Sequence, residues 1–190
     1  MATLATERLL LRMFREDDLD AYAAICADPE VTRYLGDGKT LTRSEAWRQM
    51  AMILGHWQLR GYGLWAVEER ATGALIGRLG FFQPEGWPGF ELGWMLRRAS
   101  WGRGYATEGA GCALAHAFTD LGRDRVISLI RPDNRPSVRV AERLGERLEG
   151  PTTLFGQEAL VYAIDRARWE SAGRASSAAP HQLGRLDQRA

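Results

Sequence analysis

Ten residues decide the fold prediction: Trp101-Gly102-Arg103-Gly104-Tyr105-Ala106-Thr107-Glu108-Gly109-Ala110. Their first two glycines, one residue apart, let the chain turn sharply and bring several backbone N–H groups into one concavity. The helix-like pattern that follows adds the positive end of a helix dipole at the same place. The stretch therefore predicts an anion-binding loop, to which Arg97, Arg98 and Arg103 add charge-assisted hydrogen bonds.

Two other phosphate-binding loops have similar glycine spacing, and the sequence argues against both. A P-loop requires Lys and then Ser or Thr after its last glycine, where this chain has Ala110 and Gly111. A dinucleotide-binding loop requires a third glycine where this chain has Thr107. A glycine-bearing connection without a ligand stays open on this stretch alone, because a lone G-x-G is a weak signal.

A second element lies further along the chain, at residues 131–145. Asn134 precedes a helix predicted at about 135–144, with Pro136 in its first turn and Gly145 just past its end. Together, W-G-x-G-Y-A-T-E-G and N-x-x-S-x-R-V-A-E-R-L-G resemble the GNAT acetyltransferases, especially the RimJ/RimL branch that acetylates ribosomal protein N-termini. The resemblance runs from T-E-R-L-L-L-R at residues 6–12 to about residue 165.

The resemblance implies an α/β (α+β) chain with the GNAT fold, a mixed, mostly antiparallel sheet of about seven strands with helices on both faces. It also implies an acyl-CoA-dependent N-acetyltransferase, in which a protein N-terminal α-amine or a small-molecule amine attacks acetyl-CoA directly in a ternary complex. Two alternatives stay open: a catalytically silent CoA-binding or sensing module on the same fold, and a nucleotide-dependent enzyme. The silent module is favoured only by Ala141, which stands where many members have a thiol-protonating tyrosine.

The resemblance also implies a set of cofactor-binding residues. In the family, backbone amides of the loop at 101–105 hold the pyrophosphate of CoA, and the strand at 90–96 splays from its neighbour to admit pantetheine. Asn134 and Ser137 match positions beside the pantetheine arm and the thioester sulfur. Two positions depart from the family pattern: Ala99 stands where Arg or Gln is usual, and Gly145-Glu146 stands where Gly-Phe is usual. The implied positions are Leu92, Trp94, Met95, Leu96, Trp101, Gly102, Arg103, Gly104, Tyr105, Ala106, Thr107, Asn134 and Ser137.

Glu91 and Ser137 are the catalytic candidates. Glu91 stands on the strand that runs past the acetyl group, where apolar neighbours make an isolated carboxylate costly and a proton acceptor is useful. The same residue also fits a solvent-facing or arginine-paired position. Ser137 fits either donation to the sulfur or ordinary helix capping, and Tyr162 is a reserve acid that equally fits the core.

The rest of the chain follows a regular pattern of helices and strands. A capping box at Thr42 and Glu45 begins one helix, and Pro29 is expected to end another. Helices are predicted at about 16–28, 43–60, 105–121 and 135–144. Strands are predicted at about 7–14, 62–69, 74–82, 90–96, 125–130, 146–153 and 157–164.

Length and composition fit one domain, predicted at 1–170, followed by a disordered tail at 171–190 that is rich in Ala, Ser, Gly and Arg. The formal net charge of +1 gives no electrostatic reason to expect nucleic acid as a partner. No apolar run approaches the ~20 residues that cross a membrane, and Glu7 and Arg8 interrupt the N-terminal stretch. These features predict a cytoplasmic protein without a membrane partner.

Cysteine and histidine positions predict no metal site. Cys26 and Cys112 belong to no ligand pattern and are expected to be free thiols, and His56 and His116 lie in helical patterns. The predicted partners are acetyl-CoA and an amine acceptor, with a homodimer left open. Acceptor specificity is expected from the helices within 16–60 and from the loop at 83–89, which contains Trp87.

Overall fold

The computed structural model describes residues 2–177, in which eight strands form one sheet and six α-helices pack around it. The strands are β1 (Leu4–Ala5), β2 (Leu9–Arg12), β3 (Leu64–Glu69), β4 (Ala74–Phe82), β5 (Glu91–Leu96), β6 (Arg125–Ile130), β7 (Arg147–Leu154) and β8 (Gln157–Asp165). The helices are α1 (Leu19–Cys26), α2 (Pro29–Thr32), α3 (Arg43–Arg60), α4 (Tyr105–Thr119), α5 (Arg135–Arg143) and α6 (Arg166–Ser177).

The sheet order is β1-β2-β3-β4-β5-β6-β8-β7, and neighbouring strands are antiparallel except at one place. β5 and β6 run parallel and are joined by the single register pair of Glu91 with Ile127. Next to that pair, the Ile127 N–H donates to the carbonyl of Phe90 at 3.0 Å. Beyond Glu91 no further pair joins the two strands, so a gap opens between them toward Leu96.

Helices cover both faces of the sheet, as predicted. α4 packs closely on one face, because a Cβ placed on Gly109 would lie 3.0 Å from Leu79 and 3.3 Å from Leu9. Side chains alternate along a strand, so Arg78 points to the opposite face. There it lies near Tyr22 of α1.

Sequence patterns located most elements within a residue or two, and the capping box predicted for α3 is present. The Thr42 hydroxyl accepts from the Glu45 N–H at 3.3 Å, and the Glu45 carboxylate accepts from the Thr42 N–H at 2.8 Å. Two details differ from expectation. β1 is an eighth strand, and Pro29 begins α2 rather than ending α1, because a missing N–H costs nothing in a first helical turn.

α6 continues into the range 171–190, for which the sequence predicts a disordered tail. An apolar contact holds the helix against α4, since the ring centres of Trp169 and Phe118 lie 5.3 Å apart. The rest of the predicted tail, 178–190, lies outside the described residues. None of the helices within residues 2–177 is both long enough and apolar enough to cross a membrane.

Candidate active site

The glycine loop between β5 and α4 has the geometry that its sequence predicts. Gly102 and Gly104 have φ values of 72° and 80°, the left-handed region that side chains with a Cβ rarely adopt. Gly104 is the N-cap of α4 and provides no side-chain cap. The N–H groups of the first helical turn, which begins at Tyr105, therefore lack intrahelical acceptors. This loop and helix end form a concavity with the unpaired N–H groups that an anion-binding site requires.

The arginines beside this loop are engaged with carboxylates of the protein. Arg103 Nη1 lies 3.2 Å from Glu69 Oε1, and Arg98 Nε lies 3.3 Å from Asp28 Oδ2. Arg8 connects the loop to α4, since it donates to the Arg103 carbonyl at 2.9 Å and to Glu108 Oε2 at 2.6 Å. The concavity is thus shaped mainly by backbone, and Arg103 points its charge at Glu69.

A cavity of about 430 Å³ extends from this loop along β5 to α5. Its walls include α2 and the residues that follow it. Eleven of the predicted cofactor-binding residues line it: Trp94, Met95, Leu96, Trp101, Gly102, Gly104, Tyr105, Ala106, Thr107, Asn134 and Ser137. The structure thus brings one predicted set, from three separate segments of the chain, to one cavity.

Leu92 and Arg103 do not line this cavity, contrary to expectation. The Leu92 side chain is fully buried, and its carbonyl already accepts a hydrogen bond from Ser128 Oγ at 2.9 Å. Arg103 is turned away by its pair with Glu69. The first β5 residue whose peptide groups can face the open gap is therefore Trp94, because backbone groups alternate between the two neighbouring strands.

Trp94 and Ser137 join β5 to α5 across the cavity. The Trp94 indole N–H donates to Ser137 Oγ at 3.2 Å, and the Ser137 N–H donates to Asn134 Oδ1 at 3.3 Å. Asn134, rather than the Ser137 hydroxyl, is therefore the residue that caps α5. The Ser137 hydroxyl keeps its own hydrogen available to a group in the cavity.

Glu91 stands where β5 and β6 part. Its side chain is half-buried, and its Oε2 accepts a hydrogen bond from the Trp87 indole N–H at 2.7 Å. Burial raises the pKa of Glu91 to about 7, although the Trp87 hydrogen bond and the charge of Arg78 both oppose that rise. A carboxyl with this pKa exchanges a proton near neutral pH, as a general base must.

Glu146 is a second buried carboxyl at the gap, which sequence reasoning noted only as a departure from the family's Gly-Phe. Its side chain is 3% exposed, and Oε1 lies 3.1 Å from Ser128 Oγ. Oε2 has no hydrogen-bond partner within residues 2–177. Burial raises the pKa of Glu146 to about 8, with a smaller contribution from the negative charge of Glu91. An acidic residue at an apolar family position was the signal for a special site.

The remaining candidates have structural positions. Tyr162 is buried in a small apolar cluster with Val138 and Ala141 of α5. His56 is buried, with Nδ1 bonded to the Tyr62 carbonyl at 2.9 Å and Nε2 accepting from a backbone N–H, which fixes a neutral ring. Within the described chain, no three His, Cys, Asp or Glu side chains are placed to hold a metal ion.

Comparison with known proteins agrees with this geometry. A model of the acetyltransferase (GNAT) domain family matches residues 8–147, which is most of the chain. The chain belongs to the GNAT acetyltransferase family. This GNAT chain is 32% identical over 152 residues to the N-acetyltransferase p20 of Bacillus licheniformis, covering 79% of this chain and 85% of that protein.

Solved structures share the GNAT fold. An acetyltransferase from Agrobacterium tumefaciens is 35% identical, with a TM-score of 0.77 over 86% of this chain and 94% of that one. RimL, a ribosomal L7/L12 α-N-protein acetyltransferase in complex with coenzyme A, is 20% identical, with a TM-score of 0.73 over 86% and 98%. At 20% identity, the similarity to RimL shows a shared fold and no more.

Proposed function

We propose that this GNAT protein transfers the acetyl group of acetyl-CoA to an amine that attacks directly in a ternary complex. The acceptor is a protein N-terminal α-amine, as for RimJ/RimL-type enzymes, or a small-molecule amine. The observation that carries the proposal is Glu91, a half-buried carboxyl with a pKa of about 7 at the point where β5 and β6 part. A protein that only bound CoA would have no use for a proton acceptor there.

CoA binding is assigned to the cavity of about 430 Å³. The backbone N–H groups of the loop from Trp101 to Gly104 and of the first turn of α4 would hold the pyrophosphate. Pantetheine would enter the gap beyond Glu91 and pair with the peptide groups of Trp94. Asn134 and Ser137 would flank the pantetheine arm and the sulfur, respectively.

The chemistry divides among three groups. Glu91 takes a proton from the acceptor ammonium, directly or through water, so that the neutral nitrogen attacks the thioester carbonyl carbon. The new C–N bond forms, the C–S bond breaks, and the second proton that the nitrogen loses on becoming an amide passes to the departing thiolate of CoA. In this proposal the N–H of Trp94 stabilises the negative charge on the carbonyl oxygen, and the Ser137 hydroxyl donates to the sulfur.

The acceptor determines how much Glu91 must contribute. Making a lysine amine (pKa ~10.4) neutral at pH 7 costs roughly 4.6 kcal/mol, whereas an α-amine with a pKa of about 7.7–8.0 costs about 1 kcal/mol. A carboxylate with a pKa of about 7 matches the α-amine, which favours an N-terminal or α-amino acceptor.

Amine-dependent release of CoA thiol tests the proposal. Acetyl-CoA is incubated with the protein and a panel of peptides, amino acids and polyamines, and free thiol is followed against time. The proposal expects release that depends on the amine, together with an acetylated product by mass spectrometry. Tight CoA binding without release from any amine would instead support the silent CoA-binding module that Ala141 leaves open.

A further inference from the structure

A second cavity, of about 550 Å³, adjoins the candidate active site at Trp87. Trp87 lines this cavity and also donates its indole N–H to Glu91. The loop at 83–87 and the end of α3 form most of the wall, and Arg60 and Arg123 bring two positive charges to it. The cavity therefore lies within one side chain of the proposed base, on the surface where an acceptor would arrive.

Arg123 is the unusual residue of this cavity. Its guanidinium carbon lies 4.4 Å from the ring centre of Phe90 and 4.8 Å from that of Tyr62, so the cation is stacked on two aromatic faces. Its Nε is inaccessible to solvent and has no hydrogen-bond partner in the part of the chain that the structure describes. Among residues 2–177, no carboxylate oxygen lies within 4 Å of this guanidinium.

The other arginine of the cavity, Arg60, is paired with a carboxylate. Arg60 Nη2 lies 3.4 Å from Glu85 Oε2, on a glutamate side chain that is almost fully exposed. Asp124, next in sequence to Arg123, lies 3.5 Å from Arg166. Arg123 is thus the cation whose charge the nearby carboxylates leave uncompensated.

Hydrogen bonds of the Arg123 backbone fix the position of this residue. The Arg123 carbonyl accepts two hydrogen bonds from Arg166, at 3.1 Å and 2.7 Å, and its N–H donates to the Ala117 carbonyl at 2.9 Å. Phe90, on which the guanidinium lies, is the residue before Glu91. A partly desolvated cation held this way gains most from an anion that replaces the lost water.

We propose that this cavity binds an anionic side chain of the acceptor, so that the preferred substrates are amines that also carry a distal carboxylate, separate from any α-carboxylate. The amine would lie at Glu91 and the carboxylate at Arg123, on either side of Trp87. The inference rests on the proposed acetyl transfer and specifies, in addition, that the acceptor carries a negative charge.

Two sources offer this chemistry: an acidic side chain near the N-terminus of a peptide, and a small amino acid with a distal carboxylate. An extended peptide advances about 3.3–3.6 Å per residue, so the acidic side chain would stand within the first few residues. The experiment therefore has two arms. One uses peptides that differ by Glu or Gln at the second and third positions, and the other uses glutamate and glutamine as free amino acids.

The measurement is kcat/KM for thiol release with each member of a pair. The wild-type protein is expected to prefer the carboxylate member of at least one arm by about two- to fivefold, because a partly exposed ion pair contributes up to about the larger factor. The preference should weaken as salt is raised. Arg123→Gln should abolish the preference, so that the two members of each pair react at equal rates with this variant.

Arg48→Gln is the matched control, since it removes an equal charge from an exposed position on α3. It should leave the preference intact. Equal rates on both members in the wild-type protein, or a preference that survives in Arg123→Gln, would overturn the inference while leaving acetyl transfer in place. Absence of thiol release with every amine would instead contradict the proposed function. If Arg123→Gln fails to fold, the preference of the wild-type protein and its salt dependence still test the inference.

Discussion

Ser128 Oγ lies between two acceptors, 2.9 Å from the Leu92 carbonyl and 3.1 Å from Glu146 Oε1. A hydroxyl has one hydrogen and cannot donate to both. If Ser128 donates to Leu92, Glu146 must be protonated and donate to Ser128. The burial that raises the pKa of Glu146 to about 8 makes this the neutral-pH state.

This arrangement predicts how Glu146 affects stability with pH. Because its pKa is higher in the folded than in the unfolded protein, its contribution is full below about pH 4.5 and is lost as pH rises toward about 8. Glu146→Gln keeps a donor for Ser128 and does not titrate. Between those pH values, the unfolding free energy of the wild type should fall relative to the variant by about 1.4 kcal/mol per pH unit.

Guanidinium unfolding followed by tryptophan fluorescence at pH 5, 6.5 and 8 measures this difference. Glu91 shifts in the same direction and is present in both proteins, so its own burial cancels in the comparison, and only its smaller charge interaction with Glu146 enters the difference. Parallel stability curves for wild type and Glu146→Gln would show that Glu146 is ionised in the folded protein.

The glycine loop is predicted to bind CoA through backbone shape more than through charge. Gly104→Val places a β-branched residue at a φ of 80° and should weaken CoA binding by about tenfold or more, since such strain costs about 1–3 kcal/mol. Arg103→Ala should weaken it by less than about threefold, because Arg103 is already paired with Glu69. Isothermal titration with CoA compares the two, and a larger loss in Arg103→Ala would refute the backbone account.

Substitutions of Asn134 and Ser137 are predicted to affect different properties: the first lowers stability and the second lowers activity. The α5 cap uses the Asn134 side chain and the Ser137 N–H, which Ser137→Ala retains. Asn134→Ala should therefore lower the unfolding free energy by about 1 kcal/mol. Ser137→Ala should leave stability nearly unchanged and lower kcat, because the hydroxyl proposed to donate to the sulfur is gone. Denaturation and steady-state rates on both variants check this; an unchanged kcat in Ser137→Ala would leave Ser137 as a partner of Trp94 only.

Local sequence signals predicted the parts of the structure that local interactions determine. The Thr42 capping box predicted where α3 begins, and the spacing of Gly102 and Gly104 predicted a left-handed turn that opens a helix. β1 was missed because two residues carry no periodicity. The first strand of the sequence prediction was correspondingly too long, since only Leu9–Arg12 pairs in the sheet at that place.

Contacts between distant residues were beyond sequence reasoning. Ser128 lies 36 residues from Leu92 and 18 from Glu146, and no spacing rule relates them. The likeness to the family assigned Leu92 to CoA binding, but the Ser128 hydroxyl occupies its carbonyl in this structure. The Trp87 bond to Glu91 also depends on an irregular loop, although both residues were singled out separately.

Glu91→Gln tests the central claim, that this carboxylate accepts the proton of the attacking amine. The variant should keep its affinity for CoA, because the proposed site holds pantetheine and pyrophosphate by backbone groups. Its kcat/KM at pH 7 should fall by about 10²–10⁴-fold. The loss should shrink as pH rises, since an amine that is already neutral needs no base, and α-amines should recover at lower pH than lysine-like amines. Glu158→Gln, at an exposed position on β8, is the matched control.

The decisive measurement is the pH dependence of amine-dependent thiol release in wild type and Glu91→Gln, with CoA affinity measured on the same preparations. The account predicts a wild-type rate that rises through about pH 7 and a Glu91→Gln rate that approaches it only in alkaline solution. An equal loss at every pH, or a loss of CoA binding, would contradict the account and make Glu91 a structural residue.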